Sequence, residues 1–283
     1  MLKVNLQGIE ETMLIPLWAR AYETTSIEKP LLKDPLAVKM VALIDYDFTK
    51  FMHAKYSQAG VAVRSAIFDR EVRAFLRENP KTICINIGCG LDTRFYRVDN
   101  GIIHWYDIDL PEAMKVRDKL LLPVNERVHE IAASIFDEAW VKQVKKNGYK
   151  VLFIVEGISM YFEKEQMQRL FSLLSRNFPE SFMLIEVMPP FIIKHKKYHD
   201  SVDAQKTPFL WGVNDGKKME KLHSSIKFIK QWTLYEGYRR RWGIMGFLSL
   251  FPWWNKNCND KIIYLSIRKN ANTIFRNVLR SAS

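Results

Sequence analysis

The sequence predicts an α/β domain built on a mostly parallel sheet with helices on both faces, a helical N-terminal extension and a late insertion. Three observations predict it. Short runs at 82–87 (TICINI), 151–155 (VLFIV) and 182–187 (FMLIEV) are near-continuously apolar rather than alternating, as strands covered on both faces are. Helical stretches separate the runs at the spacing of βαβ units. The first run ends in Gly88-Cys89-Gly90, a tight turn leading from strand to helix.

Taken in order, residues 1–78 form the helical extension, a candidate lid. Pro30 and Pro35 punctuate it, and Asp34 is placed to cap a helix that starts at Pro35. At 64–77 an amphipathic stretch offers Ile67, Val72, Phe75 and Leu76 to one face. Residues 79–188 are the ligand-binding core. They carry strands at 82–87, 102–108, 127–132, 151–155 and 182–187, with helices at 111–121, 136–146 and 163–178. Residues 189–228 break the rhythm with Pro189-Pro190 and many Lys and His, and read as an insertion beside the sheet. Residues 229–283 supply two late strands, 229–235 and 261–269, joined by the aromatic stretch 242–254. No internal repeat is visible, so residues 1–283 form a single domain.

Composition narrows the partners. Lys and Arg number 43 against 31 Asp and Glu, a net charge of +12 that attracts anions. An anionic small-molecule acceptor suits it. The basic clusters around Lys194 and at Arg239, Arg240 and Arg241 lack the interleaved aromatics of RNA-binding surfaces, so no nucleic acid is expected. Cys84, Cys89 and Cys258 have no ligand spacing, which points to reduced thiols and a cytoplasmic protein. His195 and His199 stand four apart with no carboxylate or thiol to complete a site, so no metal is expected. The longest apolar stretch, 242–254, is too short to span a bilayer and contains Pro252, so no stable membrane anchor is expected.

The glycine turn carries the chemistry. A dinucleotide fingerprint needs a third glycine where this chain has Thr93, and no Gly-Lys-Ser/Thr follows, so neither a pyrophosphate cradle nor a phosphate loop is predicted. Asp107 and Asp109 close the second strand about 20 residues after the turn. There a carboxylate accepts hydrogen bonds from the ribose hydroxyls of an adenosyl ligand. The two acids share a strand face, so spacing does not choose between them.

INIGCGLDTRFYRVDNG, followed by WYDIDLPEAMKVRDKLL, resembles the leucine carboxyl methyltransferase family, which includes polyketide-synthesis O-methyltransferases. VRSAIFDREVRAFL, IAASIFDEAW and the Glu156-Gly157-Ile158-Ser159-Met160-Tyr161-Phe162 segment carry the resemblance further, so that it runs from about residue 14 to 187. It implies a Rossmann-like class I methyltransferase with a seven-stranded sheet and S-adenosylmethionine as methyl donor, leaving S-adenosylhomocysteine. By position it implies that Arg64 pairs with the donor's methionine carboxylate and that Gly88 and Gly90 lie along its backbone. Asp109 would hold the ribose, Ser134 and Ile135 would border the adenine, and Glu156 would line the methionine end. Tyr161 would touch the acceptor. Asp92, Thr93 and Arg94 read either as a cap shaping the donor loop, with Arg94 buttressing an acid, or as a plain capped helix with an exposed Arg. Cys89 and Phe162 depart from the family's Ala and Leu; Phe162, with Met160 in the variable stretch, alters the acceptor wall.

Methyl transfer from a sulfonium is an in-line displacement, and the enzyme chiefly aligns the reacting atoms. A carboxylate acceptor needs no base, whereas an alcohol does. No His or Lys stands at a matched position to serve as base, which favours a carboxylate or an acidic phenol. The expected function is S-adenosylmethionine-dependent O-methylation of a small-molecule carboxylate or hydroxyl. The alternatives are a protein C-terminal carboxyl methyltransferase and a non-catalytic S-adenosylmethionine-binding regulator. Thr93 counts against a nicotinamide oxidoreductase.

Overall fold

Strand residues alternate between two apolar layers, and that alternation builds the molecule. In the computed structural model, which describes residues 12–121, 125–195 and 208–269, seven strands form one sheet: β1 (Thr82–Ile87), β2 (His104–Asp109), β3 (Val128–Ala132), β4 (Lys150–Val155), β5 (Ser181–Val187), β6 (Ile226–Thr233) and β7 (Lys261–Ile267). Their order is β3-β2-β1-β4-β5-β7-β6. The first five are parallel; β7 runs antiparallel to both β5 and β6.

The helices are α1 (Leu14–Ser26), α2 (Pro35–Leu43), α3 (Lys55–Glu78), α4 (Arg94–Val98), α5 (Pro111–Leu120), α6 (Lys164–Asn177), α7 (Pro190–Lys194), α8 (Ile244–Leu248) and α9 (Pro252–Asn257). Ile83, Ile85, Ile87, Phe153, Val155 and Met183 face the layer that holds α6, which buries Met167, Leu170, Phe171 and Leu174. The intervening Cys84, Leu152, Ile154 and Leu184 face α3, through Val63, Ile67, Phe68 and Phe75. Burial on both faces removes any selection for polar alternation, hence the continuous apolar runs. A capping box between Glu163 and Gln166 starts α6. Asp34 caps α2, accepting the Ala37 amide at 3.0 Å. Leu14, Leu17 and Trp18 of α1 pack with Ala37 and Met40 of α2 and with Leu91, just beyond the glycine turn.

Two predicted elements differ. The helix expected over 136–146 is only a 3-10 turn, Trp140–Gln143. Asp137 accepts the Ala139 amide and Ser134 accepts that of Phe136, so local side-chain bonds outcompete helix nucleation. β6 begins at Ile226 rather than 229, because the segment bends at a bulge between Phe228 and Lys230 and its start still pairs with β7. Among the described residues no helix is long and apolar enough to cross a membrane. None of their His, Cys, Asp and Glu side chains form a group of three able to hold a metal. His195 packs on the Phe191 ring at 4.2 Å; His199 lies outside the described residues.

Candidate active site

Five parallel strands deliver their C-terminal ends to one edge of the sheet, the edge where α/β sheets bind ligands. Gly88 follows β1, Asp109 ends β2, Ser134 follows β3, Glu156 follows β4, and Glu186 stands at the end of β5. Because β7 is antiparallel, its start lies there too: Lys261 is opposite Val187, with Asp260 just before it.

The glycine turn is held from both sides. Gly88 and Gly90 take φ of +67° and +46°, a region where a Cβ is strained. Gly88 donates to the Ile108 carbonyl at 2.8 Å, tying the turn to β2. The two carboxylate oxygens of Asp109 accept the Gly90 and Leu110 amides, each at 2.7 Å. Burial pushes the Asp109 pKa up, with those amides working against it.

Asp107 is a correction. It is 1% exposed, and its carboxylate accepts Asn86 and Trp105 Nε1 at 2.9 Å each and Arg117 at 2.6 Å. It stands one step deeper on the same strand face, beneath the turn, where Arg117 of α5 reaches it. Arg117 also donates to the Gly90 and Asp92 carbonyls, at 3.1 and 2.6 Å. Asp107 therefore supports the turn from below and is not a ribose contact.

Arg94 is 1% exposed and donates to Asp69, Asp92 and Glu156 at 2.8, 2.6 and 2.5 Å. Of the two readings of the Asp92-Thr93-Arg94 string, the structure has the buttress. Thr93 donates to Asp34 at 2.5 Å, joining the turn to the start of α2. Arg94 and Arg97 hold the Asp92 carboxyl far below the usual range, against the upward push of burial.

Arg64, on α3, donates from Nε to Glu156 at 3.0 Å and from Nη1 to Glu186 at 3.2 and 3.3 Å. Burial disfavours its charge, but the two carboxylates more than offset that and its pKa is raised. Gly157, at φ +74°, donates to Glu186 at 2.8 Å; a Cβ there would sit 3.1 Å from Arg64 Nη2. These residues border a cavity of about 460 Å³. Arg64, Gly157 and Glu186 form one wall; Tyr161, Phe209, Tyr235, Trp242 and Trp254 form much of the rest. Tyr161 is half-buried with its ring 5.5 Å from Phe209, and burial pushes its hydroxyl pKa up.

Ser134 and Ile135 follow β3 at the same edge, where the Ala133 amide bonds the Asp109 carbonyl at 2.9 Å. Ile135 packs into the sheet layer, and its carbonyl accepts Trp140 Nε1. The structure thus brings Arg64 and Tyr161 to the cavity end, with Glu156 bonded to Arg64, and Gly88, Gly90, Asp109, Ser134 and Ile135 to the β1–β3 end.

Glu186 and Asp260 were not legible as site residues. Glu186 sits inside an apolar run, where its only signal is a lone acid at a buried strand's end. Asp260 reads as a turn residue until β7 is known to run antiparallel.

A family model for leucine carboxyl methyltransferase matches residues 13–175, more than half of the chain. The chain belongs to the leucine carboxyl methyltransferase family. These are methyltransferases that draw on S-adenosylmethionine, the donor that the sequence resemblance implied. Among its relatives is the tetracenomycin polyketide synthesis O-methyltransferase TcmP of Streptomyces glaucescens, 27% identical over 82% of this chain and 86% of that one. Another is the S-adenosyl-L-methionine-dependent methyltransferase dpfgK of Gibberella zeae, 26% identical over 88% of this chain and 90% of that one. A methyltransferase candidate from Thermobifida fusca, solved by crystallography, superposes with a TM-score of 0.57 over 89% of this chain and 94% of its own, at 11% identity. That likeness concerns the class I fold, which this family member shares.

Proposed function

We propose that the chain transfers the methyl group of S-adenosylmethionine to an oxygen of a small molecule, a hydroxyl or a carboxylate. The observation that carries this reading is the aromatic cavity of about 460 Å³ bordered by the Arg64–Glu156–Glu186 cluster. Its volume lies in the range of small-molecule sites. The relative named as an O-methyltransferase supports oxygen as the acceptor atom.

The donor supplies an electrophilic methyl carbon on a sulfonium; the chain's residues hold and orient it. Gly88 and Gly90, both at positive φ, hold the turn in a shape that L side chains strain against, with Ile158 packed where a Gly88 Cβ would be, so the turn can present its backbone to a ligand. Asp109 offers a carboxylate to the ribose hydroxyls, fixed by two amides before any ligand arrives. Ser134 and Ile135 border the adenine. Arg64 presents a guanidinium already oriented by two carboxylates, and it receives the methionine carboxylate. Glu156 and Glu186 favour the positive charge of the ammonium and sulfonium. Tyr161 contacts the acceptor. The Arg94 network keeps these parts within the narrow tolerance that in-line displacement demands.

The test is calorimetric titration with S-adenosylmethionine and S-adenosylhomocysteine, with NADH as control, followed by transfer of isotopically labelled methyl to a panel of aromatic alcohols and acids. Binding of both adenosyl ligands but not NADH, with label recovered on oxygen, is the expected result. A folded protein that binds neither at millimolar concentration overturns the reading.

A further inference from the structure

We propose that Asp260 accepts the proton of a neutral aromatic hydroxyl held in the acceptor cavity, so that the acceptor is an aromatic alcohol rather than a carboxylate. This rests on the reading of the chain as an O-methyltransferase.

The first support is an unmet hydrogen bond. Among the described residues, two buried side-chain polar atoms lack a partner, Asp260 Oδ1 and Trp254 Nε1, and both residues line this one cavity. Buried polar atoms are almost always satisfied, because an unmet carboxylate oxygen carries its full desolvation cost. Trp254 Nε1 lies near the Tyr235 hydroxyl without hydrogen-bond geometry. One orphan is an acceptor and the other a donor. A carboxylate ligand satisfies only the donor, whereas a hydroxyl donates to Asp260 and has lone pairs to spare.

The second support is where the charges point. Lys261 donates its ammonium to the Lys256 and Asn259 carbonyls at 2.9 and 2.7 Å, and acts on Asp260 only as a neighbouring charge. Arg64 is engaged by Glu156 and Glu186, and in the proposed function the donor's methionine carboxylate takes up the rest of its charge. An anionic acceptor would therefore meet Glu186 and Asp260 with the nearest cations already committed, whereas a neutral hydroxyl meets only a hydrogen-bond acceptor. The Asp260 backbone is fixed by the Leu234 amide on its carbonyl and by the start of β7. Burial and the nearby Glu186 push its carboxyl up to about 7 against Lys261 and Arg64, where a carboxylate exchanges protons readily at neutral pH.

The step balances within the chain and its two substrates. The hydroxyl oxygen bonds to the methyl carbon as the carbon–sulfur bond breaks, and that electron pair passes to sulfur. The hydroxyl proton passes to Oδ1 of ionised Asp260 and then to water. The products are an aryl methyl ether and the neutral thioether S-adenosylhomocysteine.

The test uses 2-naphthol and 2-naphthoate as probes, titrated at pH 8 into the S-adenosylhomocysteine-loaded protein and read by tryptophan fluorescence. Wild type is expected to bind 2-naphthol at least tenfold more tightly than 2-naphthoate. Asp260→Asn is expected to tighten 2-naphthoate at least fivefold and weaken 2-naphthol, with S-adenosylhomocysteine affinity unchanged within twofold. Equal or tighter binding of 2-naphthoate by wild type overturns the inference. So does a naphthol-to-naphthoate ratio that Asp260→Asn leaves unchanged, or no binding of 2-naphthol to the loaded protein. Failure of S-adenosylhomocysteine itself to bind folded wild type overturns the O-methyltransferase reading and this inference with it, which separates the two failures.

Discussion

Asp107 and Asp109 stand two residues apart on β2 and do different work, and substitution separates them. Asp109→Ala removes the acceptor of the Gly90 amide and the ribose contact together, so S-adenosylhomocysteine affinity is expected to fall on the order of 30-fold or more, from about 2 kcal/mol of charge-assisted hydrogen bonding. Asp107→Ala instead leaves the buried Arg117 guanidinium with Glu130 as its one remaining carboxylate among the described residues and is expected to cost about 2–3 kcal/mol of stability in urea denaturation. Asp260 gives a third test at this scale. Its carboxyl is pushed up to about 7 in the folded chain against 3.8 for an ordinary Asp, by burial first and then Glu186, with Lys261 and Arg64 pulling down. Cys258 and Tyr235 beside it stay neutral, both raised by burial. Between about pH 4 and 7 the folded state holds a proton that the unfolded state has released, so this group's effect on stability becomes less favourable as pH rises through that window. Asp260→Asn removes that slope. Its melting temperature is expected to exceed wild type by more at pH 8 than at pH 4, with a ceiling of about 4 kcal/mol.

At the scale of elements, Arg94 is the joint. Through Asp69, Asp92 and Glu156 it ties α3, the loop after β1 and the end of β4 together. Arg94→Met leaves three carboxylates short of their buried partner, and urea denaturation is expected to give a loss of about 3–5 kcal/mol. The parallel core was readable because its signals are local: β1 falls on the predicted 82–87, and β4 and β5 each begin one residue before the predicted start. The 136–146 segment was not, because its apolar Trp140, Val141 and Val144 suit a helix while Ser134 and Asp137 capture backbone amides first. The donor-side residues Gly88, Asp109 and Glu156 were visible as a motif with spacing. Asp260 was invisible for a topological reason: only reversal of the last inserted strand carries a residue 74 positions beyond Glu186 to the same edge, as the pairing of Glu186 with Ile262 records.

At the scale of the whole molecule, the proposed donor site draws on α3 and on the ends of β1, β2, β3 and β4, so its occupancy would be felt by the whole sheet. S-adenosylhomocysteine at 100 times its dissociation constant adds about 2.7 kcal/mol to the folded state. For a chain of this size a thermal shift of about 5–10 °C is expected, and about a third of it in a folded Asp109→Ala protein at the same concentration, where a 30-fold weaker site leaves about 0.9 kcal/mol. The packing of α1 has a consequence for the timing of turnover. Met13, just ahead of that helix, lies 3.3 Å from where a Gly90 Cβ would be, Arg20 donates to the Leu91 carbonyl at 2.7 Å, and Leu14 and Leu17 cover Leu91. A ligand seated in the turn is thus latched behind the N-terminal helix, whereas the acceptor cavity is walled by separate, later parts of the chain. On the proposed reading the adenosyl molecule would enter first and leave last, and the expected outcome in product-inhibition kinetics is that S-adenosylhomocysteine competes with S-adenosylmethionine but not with the acceptor.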